Sequence, residues 1–404
     1  MTIRRIPEDF RVIEVLTPQA QARIGPRDAL SAWAVYEVTK TSLTTPEAAQ
    51  RVAKLVECAW GKIGWAGLKD KHGVTTQVMS VPMGGRAALP ETLQAAGITG
   101  QLLGWSSEEP SSKWIARNQF QIVVRDLSRP AAQEMAARLN QLTGADLSVW
   151  ITNYFGEQRF SSARHGKGFA GACLIRGDFE GALRLMIGTP ARKDSGKRHA
   201  FTRATAELWG RWSELLEVFP RCAERGAVEA LAAGKGFIEA FAALPYLDQQ
   251  MAVEAYQSHL WNRVAAMMTR DLADSIGAGV IAAPDAYGEI AFAMAPAMLQ
   301  AREWSVPLPA HDVDVNRLTV PVRAAMEAAL VAEGVSMRDL HMKELRRPAF
   351  TTADRPLMCQ VHQAELSPIE KDELTAGGKR CKRTLCCQLG PGSYATVVLR
   401  ALGQ

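Results

Sequence analysis

Apolar and polar residues alternate at period two in several separate stretches of the first 150 positions, and this limits the folds open to the chain more than any other feature. NQFQIVVRDL (118–127) reads as a strand on that basis, as does PEDFRVIEV (7–15) through Phe10, Val12, Ile13 and Val15. AWAVYEVTKT (32–41) and TTQVMSVP (75–82) add two more, and KIGWAGLKD (62–70) reads as a strand running into a loop. Helix signals lie between them. Thr45-Pro46-Glu47 combines a hydroxyl cap, a proline in the first turn and an acid, and Val52, Leu55, Val56 and Ala59 then share a face. Ser128-Arg129-Pro130 opens a second helix with Met135, Leu139 and Leu142 inside. The strands lack the regular βαβ spacing of a doubly wound sheet, so the α+β class is expected.

From Gly156 to about residue 345 helical patterns dominate, among them a long amphipathic helix from Gln249 through Met268. The basic stretch ARKDSGKRHAFTR (191–203) reads as an exposed loop, and the tail LGPGSYATVVLRAL (389–402) as a turn followed by a β-branched strand. A chain of 404 residues is long for one core, so two domains are expected. No internal repeat or low-complexity tract is visible.

Composition excludes several classes. Apolar residues make up 47% and charged residues 22%, as in a globular protein rather than a disordered or fibrous one. No apolar run approaches the roughly 20 residues needed to cross a bilayer, and MTIRRIPEDF has no apolar core after its basic residues, so a cytoplasmic protein is expected. The seven cysteines are odd in number and mostly isolated, which suits a reducing compartment. A net charge of +5 permits an acidic partner such as nucleic acid without requiring one.

The most informative stretch is AGLKDKHGVTTQ (66–77), which holds Asp70 between Lys69 and Lys71 in a turn between strands. Flanking cations favour an ionised acid and attract a phosphate backbone. A solvated β-turn with ordinary surface charges accounts for the same residues and, on these physical grounds alone, is the favoured reading.

AGLKDKHGVTTQ resembles the signature of the TruD family of pseudouridine synthases. PEDFRVIEV (7–15), RNQF (117–120), NYFGEQRF (153–160), YQSHLWN (256–262), RRPA (346–349) and PGSYATVVLRAL (391–402) resemble further family segments in the same order. The resemblance implies a catalytic domain of the pseudouridine synthase fold from residues 1–156 and 345–404, with a helix-rich TRUD domain inserted at 157–344. It implies isomerisation of a uridine in RNA, with tRNA and its uridine 13 as the expected target, and requires no cofactor and no metal. Asp70 is then the catalytic carboxylate, acting as nucleophile at C1′ or base at C2′. Arg4, three residues before the proline of PEDF, is its expected ion-pair partner. Phe10, Asn118, Phe120 and Tyr394 match substrate-binding positions, Asn118 for hydrogen bonding and the aromatics for stacking on a base flipped out of the RNA. Tyr394 stands where the family commonly has phenylalanine, and Ser161 where it commonly has glycine. Lys69, Lys71, Arg192, Lys193, Lys197 and Arg198 are candidates for the RNA backbone, and a monomer is the default. Two other classes remain: a catalytically idle RNA-binding or tRNA-folding protein, and a nucleoside hydrolase using Asp70 with water.

Other signals are weaker. Cys381, Cys386 and Cys387 lack zinc-site spacing and, among Lys379, Arg380, Lys382 and Arg383, read as a basic RNA-facing turn. His72 is given no catalytic role, His259 reads as structural, and GPGS (390–393) lacks the following helix of a nucleotide loop.

Overall fold

The computed structural model describes the whole chain except residues 1, 85–87, 164–165, 192–195, 286, 346 and 376, and omits the side chains of 161, 162, 197, 198 and 296. Two compact units form: Met1–Val149 with Cys359–Gln404, and Trp150–Met358. Positions 156 and 345, the limits read from sequence, lie inside the second unit.

The first unit is built on a mixed sheet. Its strands are β1 (Phe10–Leu16), β2 (Trp33–Thr41), β3 (Gly64–Trp65), β4 (Val74–Pro82), β5 (Thr92–Ala95), β6 (Ile98–Ser106) and β7 (Ile115–Leu127). After β8 (Val149–Thr152), and β9 (Val280–Asp285), β10 (Gly288–Ala293), β11 (Ser305–Pro307) and β12 (Asp354–Pro356) of the second unit, the chain returns with β13 (Met358–Leu366), β14 (Glu370–Lys371) and β15 (Cys381–Leu389). The order is β5-β6-β2-β4-β1-β7-β15-β13, with β3 beside β4 and β14 beside β15. β1 and β4 run parallel, whereas β1–β7, β2–β4, β2–β6 and β7–β15 are antiparallel.

Helix α1 (Pro18–Ala22) is short, and α2 (Thr45–Leu55) covers one sheet face. Its N-cap is Thr44 rather than Thr45: the Thr44 hydroxyl accepts from Glu47 N, and the Glu47 carboxylate accepts from Thr44 N. Either threonine fits the sequence signal, and the reciprocal bond settles on the one three residues before the acid. Ala48, Ala49, Val52 and Ala53 of α2 pack with Ala34, Tyr36 and Val38 of β2 and with Met79 and Val81 of β4. Small residues on α2 let it lie close to the strands, and Tyr36, fully buried, donates its hydroxyl to Pro90 O at 2.6 Å.

α3 (Arg129–Leu142), capped by the Ser128 hydroxyl, lies over the same face. Arg383 of β15 donates to Ala132 O in α3, and Arg383 points to the same side as Cys387, which aligns in turn with Phe120, Val12, Thr75 and Lys40. That row crosses the sheet between the two helices.

The described residues of the second unit are mainly helical, with two short strand pairs, β9–β10 and β11–β12. Its axis is the helix Tyr246–Ser275, which extends the expected 249–268 by nearly a turn at one end and two at the other. The YQSHLWN and NYFGEQRF segments meet there. Asn262 accepts from Phe155 N and donates to Phe155 O, Trp261 Nε1 donates to Val306 O, and Gln257 bridges Pro309 O and Thr351 O. Arg355 stacks 3.9 Å from the Phe155 ring centroid and donates to Asn153. His259 is buried against Phe169 and sits 2.9 Å from Glu333, whose carboxyl it holds below the usual range.

Three expectations are corrected. The tail is a helix, Ala395–Ala401, not a strand: Ala395, Val398, Leu399 and Leu402 recur at helical spacing and are all buried, so a continuous inner face outweighs the β-branched pair Val397-Val398. The stretch 191–203 is not a loop throughout, because Gly196–Glu207 is helical, with Phe201, Thr202 and Thr205 buried. The basic residues around Cys381 do not form a turn. Lys382 and Arg383 lie in β15; Arg383 is buried, Arg380 pairs with Asp126, and Lys382 pairs with Glu373. All seven cysteines are free thiols, and burial pushes Cys387 up to about 12.

Candidate active site

The loop between β3 and β4 carries Asp70, and its shape is dictated locally. The Asp70 Oδ1 accepts from His72 N at 2.9 Å, the two-residue turn that an aspartate makes with its own backbone. Gly73 follows because the loop presses against β1: a Cβ there would lie 2.4 Å from Phe10 O, a backbone atom held in the sheet. The loop is then tied to the start of α2. Lys69 N donates to the Thr45 hydroxyl at 3.0 Å, and that hydroxyl donates to Gln77 Oε1. Lys71 Nζ reaches Glu47 at 3.5 Å.

Arg4 Nη2 lies 2.6 Å from Asp70 Oδ2, with both side chains partly buried. The same guanidinium covers the Phe10 ring at 4.2 Å. Phe10 meets Phe120 edge to face, ring centroids 6.2 Å apart, because Val12 pairs with Phe120 across β1 and β7 and brings the rings to one side. Aspartate, arginine and the two phenylalanines therefore form one connected series. Arg4 is placed by the turn at Pro7–Asp9, where the Asp9 carboxylate accepts from Arg5 N and Ile6 N and is gripped by buried Arg125 at 2.8 Å.

Asn118 stands opposite Glu14 in the same strand pair. Its Oδ1 is buried and has no hydrogen-bond partner among the described residues. Leaving such an oxygen unpaired costs about 1–3 kcal/mol, so the position is poor for stability and suited to receiving a donor from outside. Tyr394 is half-buried at the N-cap of the last helix.

Among the basic candidates, Lys69 turns inward. Its Nζ lies 2.7 Å from Glu14 Oε1, and the Glu14 carboxylate, almost fully buried, also accepts from Val78 N. Removing either partner of such a pair costs about 3–5 kcal/mol, because the other charge is left buried alone. Lys69 is thus an internal brace between the Asp70 loop and β1, rather than a side chain offered to a phosphate. Lys71 remains about half exposed. Arg192 and Lys193 lie outside the described residues, as do the side chains of Lys197 and Arg198.

The sequence reading gave no site role to three residues that hold this arrangement: Lys40, Glu14 and Thr45, the last read only as a helix cap. Lys40 is fully buried and donates from Nζ to Asp70 O and Leu43 O, each at 2.7 Å. Its position in β2, after the inward-facing Ala34, Tyr36 and Val38, was a readable signal: a lysine in core register needs internal partners.

The arrangement offers a carboxylate charge-paired to a guanidinium, an aromatic pair beside it and an unpartnered amide oxygen on the same sheet face. Among the described residues no group of three or more histidines, cysteines or acids is placed to hold a metal ion, and no helix is long and apolar enough to cross a membrane.

Comparison with known proteins identifies the family. The family model described as tRNA pseudouridine synthase D (TruD) matches residues 1–402. Probable tRNA pseudouridine synthase D of Halobacterium salinarum is 30% identical over 416 residues, covering 98% of this chain and 92% of that protein. tRNA pseudouridine synthase D of Aquifex aeolicus is 26% identical, covering 99% and 97%. A crystal structure of a Methanosarcina mazei protein described as TruD superposes with a TM-score of 0.69 at 22% identity, covering 99% of this chain and 92% of the other, and shares the α+β fold. The chain belongs to the TruD family of pseudouridine synthases.

Proposed function

We propose that this protein isomerises uridine 13 of tRNA to pseudouridine in the cytoplasm, with Asp70 as the catalytic carboxylate. The reaction breaks the N1–C1′ bond, turns the base and joins C1′ to C5; the C5 proton leaves and N1 gains one, so the RNA keeps its mass. Asp70 either attacks C1′ or removes the C2′ proton, and in both routes the carboxylate must be fixed beside the sugar.

The observation that carries this reading is the Arg4–Asp70 pair at 2.6 Å, sited next to the Phe10–Phe120 aromatics. A uridine must leave the RNA stack before any carboxylate reaches its sugar. In this reading Phe10, Phe120 and Tyr394 offer the flipped base a ring or apolar face, and Asn118 Oδ1 accepts from the uracil N3–H. Lys71, half exposed, contacts the phosphate backbone, and Arg192, Lys193, Lys197 and Arg198 remain backbone candidates by sequence. Lys69 serves the loop instead. Names of relatives support tRNA as the substrate, since those proteins are described as acting on it.

The test is incubation of the purified protein with an unmodified tRNA transcript bearing uridine at position 13, followed by carbodiimide mapping. One pseudouridine at 13 with unchanged RNA mass is expected. Modification elsewhere overturns the position, and base loss or no reaction overturns the activity.

A further inference from the structure

Lys40 lies on the sheet face that α2 covers, one strand step beyond Val38 and aligned with Thr75 of β4. Its side chain is fully buried, an expensive location for an ammonium unless strong acceptors meet it. The two acceptors come from different places: Leu43 O from the turn before α2, and Asp70 O from the loop that carries the carboxylate. One nitrogen therefore joins the backbone of residue 70 to the β2–α2 connection. Two further ties act on the neighbouring Lys69, its N to Thr45 and its Nζ to Glu14, and Arg4 and His72 N meet the Asp70 carboxylate, whereas Lys40 holds the Asp70 backbone.

We infer that Lys40 is a positioning residue for the reaction, fixing the Asp70 backbone so that the carboxylate keeps its place beside the ribose. This rests on the assignment of Asp70 above. Charge-assisted bonds to carbonyls are about twice as strong as neutral ones, so the clamp depends on the ammonium form. The charged groups acting on Lys40 are Asp70 and Glu47, which favour its charge, and Lys69, which opposes it; Arg4 and Lys71 in turn pair with Asp70 and Glu47. Burial outweighs the acids and brings the ammonium down to about 8. A clamp with that titration weakens within the pH range in which the enzyme can be assayed.

The experiment measures single-turnover pseudouridine formation and tRNA binding from pH 6.5 to 9 for the wild type, Lys40→Met and Asp70→Asn. Lys40→Met keeps most of the length and the apolar stem but loses both donated bonds. The expected result is a rate about 10²-fold lower with a Kd within about threefold of wild type, since a displacement of about 1 Å at a reacting group costs that much. The wild-type rate should fall several-fold as pH rises through about 8 at constant Kd, and that fall should be absent from Lys40→Met. A Lys40→Met rate within about threefold of wild type, with Asp70→Asn inactive, overturns the inference while leaving Asp70 in place. An active Asp70→Asn overturns the assignment on which it rests. If Lys40→Met does not fold, Lys40→Gln, which keeps a polar donor, decides: a Lys40→Gln rate within about threefold of wild type at unchanged Kd rejects the clamp.

Discussion

Arg4 reaches Asp70 from a segment 66 positions earlier in the chain and covers the Phe10 ring with the same guanidinium. One planar cation thus serves the carboxylate at its edge and the aromatic at its face, which an ammonium cannot do in the same way. Because both side chains are partly exposed, the pair adds little to stability, about 1 kcal/mol or less after screening. Its value is geometric, and its loss should appear in the rate.

Arg4→Lys keeps the charge and loses the planar stack. Its single-turnover rate should fall about tenfold, while Arg4→Met falls about 10²-fold or more, with unfolding midpoints close to wild type in both. Stopped-time assays on a tRNA transcript alongside thermal melts check this. Equal rates for the two variants would show that the charge at residue 4 is irrelevant.

Asn118→Ala separates function from stability in the opposite sense. The buried Oδ1 has no partner among the described residues, so removing it should leave the unfolding free energy unchanged or raise it by up to about 1 kcal/mol. The same change should lower the rate of uridine isomerisation about tenfold or more, because an acceptor for the base edge is lost. Chemical denaturation and single-turnover kinetics on one preparation suffice. A clear loss of stability would mean that the amide supports the fold.

Lys40 gives a pH-dependent stability of defined sign. Its folded value is about 8 against about 10.4 unfolded, so between these values the unfolded chain holds a proton that the folded chain lacks. Stability contributed by this residue therefore rises with pH through that window and is lost as pH falls through about 8. Buried thiols such as Cys387 act in the opposite direction above about 8.5, and Tyr36, Tyr154 and Tyr256, raised to about 12, do so above about 10. The difference between wild type and Lys40→Met isolates the lysine. From pH 8 to 9.5 that difference should grow in favour of wild type by about 1–2 kcal/mol. Urea titrations at four pH values read it directly, and a constant difference contradicts the assignment.

Much of this was legible before the structure. β1, β2, β4 and β7 announced themselves by alternation, α2 and α3 by their caps, and Asp70 by a motif whose glycine answers a 2.4 Å approach of the Phe10 backbone. What stayed hidden depended on register and burial. The last helix looked like a strand because Val397 and Val398 carry β propensity, and only its packed face reverses that. Lys69 looked like a surface charge until Glu14 supplied a buried partner from β1. Lys40 carries the register of Ala34, Tyr36 and Val38, but the two carbonyls that receive it, one of them 30 residues away, are not visible in the sequence. Each depends on what packs against the residue from elsewhere in the chain, and local propensity does not carry that information.

The most direct test of the account is Asp70→Asn. The amide keeps the size of the side chain and can still accept from His72 N, so tRNA binding and the unfolding midpoint should stay near wild type. Pseudouridine at position 13 of a tRNA transcript, read by carbodiimide mapping, should fall below detection over many wild-type half-times. Pseudouridine formation by Asp70→Asn at a rate near that of wild type would contradict the account at its centre.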